Sequence, residues 1–211
     1  IVGLAFKVSA VPFHFWAPDV YEGSPTVVTT FMSTIVKIAA FAGFYRLFST
    51  CFGSVYDEWA MVLQVITILT LLVANITAVY QHSVKRMLAY SSVSHAGYLL
   101  ISLVALNEIS ASAILYYVAA YAAATITAFP VLHTVESGED NAVVDTFNGL
   151  GKRNPFLAFC MAISMLSLAG IPPLAGFFGK YYLFTVAFQS GYMGLVLVAV
   201  LTSLIGIYYY F

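Results

Sequence analysis

Apolar residues form long segments along this chain, and short polar loops separate them. The ten-residue alternation of a transmembrane β-strand does not occur in the sequence. Because a bilayer admits only helices or closed barrels as spanning structures, the pattern predicts an all-α, polytopic transmembrane helix bundle. The predicted helices cover about 1–11, 26–48, 59–80, 87–106, 110–134, 155–188 and 191–211.

Two of these segments are predicted to be discontinuous helices. The segment 155–188 would be ~51 Å long as one straight helix, whereas the hydrocarbon layer is ~30 Å thick. Gly170-Ile171-Pro172-Pro173 lies at its centre, so we expect a break there. Pro12, Pro18 and Pro25 follow the first segment in the same way and predict a re-entrant turn.

The segment 1–11 is too short to cross a bilayer, so we expect the chain to begin inside a helix. The last segment also ends without a polar loop. We therefore expect residues 1–211 to be a single transmembrane domain and a fragment of a longer protein.

Composition supports the membrane assignment. Hydrophobic residues make up 62% of the chain and charged residues only 8%, whereas soluble domains carry roughly 25% charged residues. The net charge is −1 and no polybasic segment is present, which argues against nucleic-acid binding. Cys51 and Cys160 lie far apart and have no neighbours at metal-ligand spacing, so neither a disulfide framework nor a metal site is predicted.

Cations in two loops predict the orientation. Lys85-Arg86 and Lys152-Arg153 are separated by an even number of predicted crossings and therefore lie on the same side. The positive-inside rule assigns that side to the cytoplasm, with Arg46 as the one cation against it.

Three lysines lie in apolar surroundings: Lys7, Lys37 and Lys180. Lys37 falls near the middle of its helix, where a charged side chain costs at least ~2.5–3.5 kcal/mol on insertion scales. A lysine, unlike an arginine, can release its proton when it is desolvated. These positions therefore suggest proton exchange within the membrane.

His95 adds an imidazole, which titrates near neutral pH, to a helix that also carries several serines. Tyrosine hydroxyls on this helix and the next could extend a proton path. The predicted proton relay comprises Lys7, Lys37, His95 and Lys180, and its possible supporting residues are Ser94, Tyr98, Tyr116, Tyr117 and Tyr121.

Structural roles remain open for these residues. Each lysine could pair with a carboxylate elsewhere, and His95 could simply bond a neighbouring helix. Asn75 and Gln64 fit interhelical hydrogen bonds, and His14 and His133 fit interfacial positions. An intramembrane hydrolase using His95 with Ser91 or Ser94 is a further alternative, although no oxyanion loop or third orienting group is visible.

Carboxylates are absent from the predicted helix cores, although a cationic relay usually needs a buried counter-charge. We therefore expect that counter-charge upstream of Ile1. The acidic residues all fall in predicted loops or helix ends: Asp19, Glu22, Asp57, Glu58, Glu108, Glu136, Glu139, Asp140 and Asp145. Those in the loop 136–153 predict a solvated segment, with contact to neighbouring subunits as the alternative.

Three long motifs resemble a known family. FKVSAVPFHFWAPDVYEGSPT (6–26), KRMLAYSSVSHAGY (85–98) and AGIPPLAGFFGK (169–180) are similar, in the same order, to motifs of the antiporter-like membrane subunits of proton-translocating NADH-quinone oxidoreductase, respiratory complex I. Within that family, PDVYEGSP resembles the branch called subunit N or chain 2. The matches extend over the whole chain.

The resemblance implies a complex I/Mrp antiporter-like fold of fourteen helices, of which this chain would represent about helices seven to thirteen. Lys7, Lys37 and Lys180 match the family's lysines of broken helix seven, helix eight and broken helix twelve. The family's paired glutamate would lie upstream. Helix 110–134 carries His133 and no lysine, so the link from His95 to Lys180 would depend on tyrosines, serines and water.

The implied function is proton translocation by a non-redox subunit of the oxidoreductase in the bacterial inner membrane. No cofactor is expected in this chain. NADH, FMN, iron-sulfur clusters and quinone are expected in partner subunits, and the partners are the other membrane-arm subunits and the lipid bilayer, without nucleic acid. The alternative is an Mrp-type sodium/proton antiporter subunit, which the wording PDVYEGSP disfavours.

Overall fold

The computed structural model describes residues 1–136 and 143–211. Within these residues the secondary structure is helical, apart from one isolated bridge between Ser83 and Val143. The predicted all-α class is therefore confirmed. The helices are α1 Val2–Val8, α2 Trp16–Gly23, α3 Thr26–Phe31, α4 Lys37–Thr50, α5 Tyr56–Val79, α6 Val84–Ala105, α7 Ser110–Glu136, α8 Leu150–Arg153, α9 Pro155–Ala169, α10 Ala175–Gln189 and α11 Met193–Tyr210.

Five helical segments in the described residues are long and apolar enough to cross a membrane, by length and composition. They are Thr26–Thr50, Gly53–Val79, Val84–Ala105, Ser110–Glu136 and Met193–Tyr210. These agree with five of the predicted helices to within a few residues at each end, except that Gly53–Val79 starts six residues earlier.

Helix α6 lies at the centre of the bundle. It contacts α2, α4, α5, α7, α10 and α11. In its 18-residue apolar stretch, 94% of the residues are buried inside the protein. A helix that meets protein on every side has no need of a lipid-facing apolar surface. This position explains why α6 can carry serines and a histidine that a peripheral transmembrane helix could not.

The break predicted within 155–188 is present. Helix α9 ends at Ala169, Gly170 adopts a left-handed conformation with φ of 84°, and α10 begins at Ala175. The backbone N–H of Gly170 donates to Leu166 and Ser167, a cap that terminates α9.

The break predicted after the first segment is also present, and the stretch predicted as a re-entrant turn contains a helix, α2. Helix α1 ends at Val8, and the chain resumes as a second helical half, α2. Proline is tolerated in the first turn of a helix, so Pro18 does not prevent α2 from forming. The N–H of Val11, which the break frees, donates to the Thr70 hydroxyl at 2.9 Å.

The helix containing Lys37 is not regular. A π-helical turn, Met32–Val36, joins α3 to α4 and ends immediately before Lys37. Single π turns in helices occur frequently at functional sites. The sequence predicted an uninterrupted α-helix here.

Charged residues meet at one end of the bundle. Arg86 at the start of α6 pairs with Asp19 at 2.8 Å and with Glu22 at 2.5 Å, both on α2. Lys85 donates to the Ser24 carbonyl at 2.7 Å. These contacts fix the second half of the broken helix α1–α2 against the central helix.

The predicted loop 136–153 is described in part. Glu139 and Asp140 lie outside the described residues. Glu136 ends α7 and accepts a hydrogen bond from the Thr26 hydroxyl at 2.6 Å. Lys152 and Arg153 are exposed in the short helix α8.

Candidate functional site: a buried polar network

Lys37 lies inside the bundle and is held by α6. Its side chain is only 4% exposed. The ammonium donates to the backbone carbonyl of Ser92 at 2.5 Å and to the Ser92 hydroxyl at 2.6 Å. Tyr121 of α7 donates to the same hydroxyl at 2.9 Å. Ser92 therefore joins Lys37 to α7.

Hydroxyl groups occupy one face of the helical segment that leads to Lys37. Thr26, Thr29, Ser33 and Thr34 are all buried. They recur at intervals of three, four and one residues, which places them on the side of the helix that also carries Lys37. The opposite face meets the exterior through the exposed residues Val27, Val28, Phe31 and Ile35.

His95 has hydrogen-bond partners at both ring nitrogens. Nδ1 lies 2.5 Å from the Tyr117 hydroxyl of α7, and Nε2 lies 3.2 Å from the Tyr210 hydroxyl of α11. The Tyr210 hydroxyl is also hydrogen-bonded to Ser91. A neutral imidazole donates from one nitrogen and accepts at the other, so this ring can take a proton on one side and release one on the other.

Lys180 lies at the break between α9 and α10. Its ammonium donates to the Ala169 carbonyl at 2.8 Å and to the Ser203 hydroxyl at 3.0 Å, and it is 4.8 Å from the centre of the Tyr98 ring. The carboxyl end of α9 carries partial negative charge that favours a cation. A Cβ at Gly170 would come within 2.9 Å of the Lys180 side chain. This glycine therefore makes room for the lysine at the helix end.

Asn75 brings one further helix, α5, to the buried polar groups of α6 and α11. It donates to the Ser94 hydroxyl at 2.7 Å and accepts from the Tyr209 hydroxyl at 3.2 Å. We call these buried polar groups of the Lys37 helix, α5, α6, α7, α10 and α11 the network. Among the described residues, no hydrogen bond joins the groups around Lys180 and Asn75 to those around Lys37 and His95.

Most of the predicted relay residues come together in this network. Lys37, His95 and Lys180 are buried, as are the predicted supporting residues Ser94, Tyr98 and Tyr121.

Two predicted residues lie elsewhere. Tyr116 is 39% exposed and packs edge-on against the exposed Tyr182, because successive helical residues point about 100° apart and Tyr117 takes the inward direction. Lys7 is exposed in the last turn of α1, and it makes no hydrogen bond or ion pair with the part of the chain that the structure describes.

Sequence reasoning missed several members of the network. Asn75 was interpreted only as a bond between helices, and the tyrosines near the end of α11 were not considered. The only sign of these residues in the sequence was a polar side chain within an apolar helix. That sign does not show whether the side chain faces the interior of the bundle or the lipid. The missed residues are Asn75, Ser92, Ser203, Tyr209 and Tyr210.

The geometry does not support a serine hydrolase. His95 is hydrogen-bonded to tyrosines, whereas Ser91 bonds Tyr210 and Ser94 accepts from Asn75. A nucleophilic serine would need a hydrogen bond to its base. The described residues also contain no group of three or more His, Cys, Asp or Glu side chains placed to hold a metal ion.

Comparison with known proteins identifies the family. Residues 1–206 match the family model described as NADH:quinone oxidoreductase/Mrp antiporter, TM. The chain is 52% identical over 210 residues to NADH-quinone oxidoreductase subunit N of Cytophaga hutchinsonii, covering 100% of this chain and 46% of that protein. It is 46% identical over 212 residues to NAD(P)H-quinone oxidoreductase subunit 2 of a Synechocystis species, covering 100% of this chain and 40% of that protein.

Solved structures agree with this assignment. A chain of respiratory complex I from Thermus thermophilus superposes with a TM-score of 0.86 at 40% identity, covering 99% of this chain and 46% of that one. A chain of the Mrp complex from a Dietzia species superposes with a TM-score of 0.91 at 27% identity. The match covers 99% of this chain and 39% of that one.

The sequence resemblance, the complex I/Mrp antiporter-like fold and the expected location in a bacterial inner membrane are thereby confirmed. The chain spans less than half the length of the curated relatives it matches. It belongs to the transmembrane family of NADH:quinone oxidoreductase and Mrp antiporter subunits.

Proposed function

We propose that this chain forms part of a proton-translocating, non-redox subunit of NADH:quinone oxidoreductase. The observation that carries the proposal is the pair of buried lysines, Lys37 and Lys180, with a doubly hydrogen-bonded histidine and buried hydroxyls between them. Charged groups inside a membrane are costly and typically mark an ion or proton pathway.

The chemistry proposed for the relay is coupled titration of three groups. Lys37 and Lys180 each alternate between the ammonium and the neutral amine, and His95 passes a proton from one ring nitrogen to the other. A proton on one group raises the free energy of charging its neighbour, so the groups titrate together rather than independently. Transfer between them runs along the hydroxyls of serines and tyrosines.

Lys7 is the fourth member of the proposed relay and lies on the surface of the chain. Its side chain is exposed, and in this proposal it exchanges protons with groups outside this chain. The counter-charge expected by resemblance to the family would have to come from such a group, because the ion pairs of the described residues lie at the Arg86 end and do not include a relay lysine.

Partner subunits supply the redox chemistry in this proposal. The similar proteins are subunits of quinone oxidoreductases. NADH oxidation, FMN, iron-sulfur clusters and quinone reduction are assigned to other subunits, and this chain contacts the membrane-arm subunits and the lipid bilayer. It contributes transport and no redox catalysis of its own.

An Mrp-type sodium/proton antiporter is the second candidate, because the fold superposes closely on a chain of the Mrp complex. The buried site disfavours sodium. Its charged members are lysines, and a sodium ion beside two cations without a buried carboxylate among the described residues would be repelled. Sequence identity is also higher to the quinone oxidoreductase subunits.

The test measures NADH-driven acidification of inverted membrane vesicles that carry the complete complex. His95→Gln retains hydrogen-bonding groups but cannot bind a proton near neutral pH, so we expect acidification to fall strongly. NADH oxidation with an artificial acceptor should stay normal, which reports intact assembly.

Two results would contradict the proposal. Wild-type acidification in His95→Gln would remove His95 from the proton path. If acidification by the wild type required sodium, and His95→Gln acidified the vesicles as well as the wild type, the sodium/proton antiporter would be favoured.

A further inference from the structure

Four helices are tied together at the end of the bundle where α6 terminates, which we call the Asn107 end. Tyr56, at the start of α5, donates to the Val104 carbonyl of α6, and its hydroxyl accepts from Tyr192, directly before α11, at 2.7 Å. Asn107 donates to the hydroxyl of Ser190, directly after α10, at 3.1 Å. Hydrogen bonds of side chains therefore join the ends of α5, α6, α10 and α11.

The same contacts cap the carboxyl end of α6. The last carbonyl groups of a helix have no partner within the helix and need one from outside it. Tyr56 supplies a donor to Val104, and the Ser190 hydroxyl donates to the Ala105 carbonyl at 3.1 Å. Two other elements of the chain thus close the end of the central helix.

An apolar layer lies directly inside these hydrogen bonds. No residue of α11 from 193 to 201 carries a polar side chain. Within about two helical turns of the hydrogen-bonded residues, each of the four helices places at least one fully buried apolar side chain in this layer. Six members with no exposed surface are Leu63, Leu103, Leu183, Val186, Leu195 and Ala199.

The network stops short of the layer. Between α6 and the Asn107 end its last buried polar side chain is Ser102, and on α11 it is Thr202. On α10 the buried residues that follow Lys180 are apolar, and Ser190 lies ~15 Å further along the helix axis. A charge placed in such a layer finds no polar partner and is strongly disfavoured.

We propose that the Asn107 end is a barrier against proton leak, in which the apolar layer blocks the proton and the hydrogen bonds of Tyr56 and Ser190 hold the helices closed over it. Both are positioning residues and neither carries a transported proton. A subunit with ionisable groups in its interior needs such a barrier, because a hydrated gap would dissipate the proton gradient. This need rests on the proposed function, whereas the barrier itself acts without NADH.

The test measures passive proton leak through the complete complex, purified and reconstituted in liposomes. A pH difference is imposed without NADH, potassium and valinomycin remove the membrane potential, and an entrapped dye reports the decay. In Tyr56→Phe we expect the pH difference to decay about fivefold faster than in the wild type, the factor by which losing one typical hydrogen bond raises the population of an open state.

Ser190→Ala should also speed the decay, because it removes the donor to the Ala105 carbonyl and the acceptor of Asn107. Ser190→Thr retains the hydroxyl and should decay at the wild-type rate. The matched control is Tyr182→Phe, which removes a hydroxyl from an exposed position of α10. Artificial-acceptor NADH oxidation confirms that each variant is assembled.

Decay in both Tyr56→Phe and Ser190→Ala at the rate of Tyr182→Phe would overturn the barrier. Failure of the proposed function gives a different pattern. In that case His95→Gln would transport protons normally, while Tyr56→Phe would still leak.

Discussion

Among the described residues, the partners of the buried lysines are neutral oxygen atoms and not carboxylates. Lys37 is held by the carbonyl and hydroxyl of one serine, and Lys180 by a helix-end carbonyl and a second serine. A carboxylate at these positions would favour the charged form strongly. Neutral acceptors stabilise the ammonium less, which leaves the proton easier to pass on.

Ser92 should matter because it is the contact between Lys37 and Tyr121. Ser92→Ala removes one of two acceptors of the ammonium, and a hydrogen bond to a charged group contributes about 1.5–3 kcal/mol. We expect NADH-driven proton transport to fall about tenfold, measured by acidification of inverted vesicles. Ser112→Ala, at an exposed position of α7, is the matched control. Equal rates in the two variants would exclude Ser92 from the path.

At this scale the sequence revealed the ionisable residues better than their partners. Lys37, His95 and Lys180 stood out because charge is conspicuous in an apolar segment. The choice between Tyr116 and Tyr117 depends on which face of α7 meets α6, and an apolar helix with weak amphipathicity does not show that.

The irregular elements are the ones that place the network. The break between α9 and α10 presents a helix end to Lys180, and the π turn lies directly before Lys37. The two breaks were predictable because proline and glycine interrupt helices for local reasons. The π turn was not, because its residues, MSTIV, include no helix breaker.

Gly176 should be essential for the packing of α10 on α9. A Cβ at this position would lie 1.8 Å from the Ser167 carbonyl oxygen, a backbone atom that cannot move away easily. We expect Gly176→Ala to cost at least about 1–3 kcal/mol, the typical penalty of overpacking, and to lower the yield of assembled complex in membranes.

The control for this prediction is Gly194→Ala, since nothing lies within 4 Å of a Cβ at Gly194. Assembly is measured by native gel electrophoresis and artificial-acceptor NADH oxidation. If Gly176→Ala assembled as well as Gly194→Ala, the conclusion that α9 and α10 approach too closely for a side chain at position 176 would be contradicted.

The whole molecule is organised around α6, whose polar residues are covered by helices on all sides. Hydropathy predicted the five long apolar segments in their order, because the bilayer demands a minimum apolar length. It could not predict which helix is central. That depends on packing between helices distant in sequence, such as α6 with α10 and α11.

The orientation of the bundle can be tested with the exposed Cys51, which follows α4 at the end opposite the Lys85-Arg86 loop. In a Cys160→Ser background, a membrane-impermeant thiol reagent should label Cys51 from the periplasmic side of right-side-out vesicles. In a second variant that also carries Cys51→Ser and Lys152→Cys, labelling should require inverted vesicles. The reverse labelling pattern would show that the bundle has the opposite orientation to the one that the positive-inside rule predicts.

The central claim is that protons cross this subunit through its buried lysines, and Lys37 tests it most directly. The measurement is NADH-driven acidification of inverted vesicles by complexes carrying Lys37→Met, normalised to artificial-acceptor NADH oxidation. Lys152→Met at an exposed position serves as the control. We predict that acidification collapses in Lys37→Met and is unchanged in Lys152→Met. Normal acidification and quinone-linked turnover in Lys37→Met would show that Lys37 is a structural charge and contradict the proposed relay.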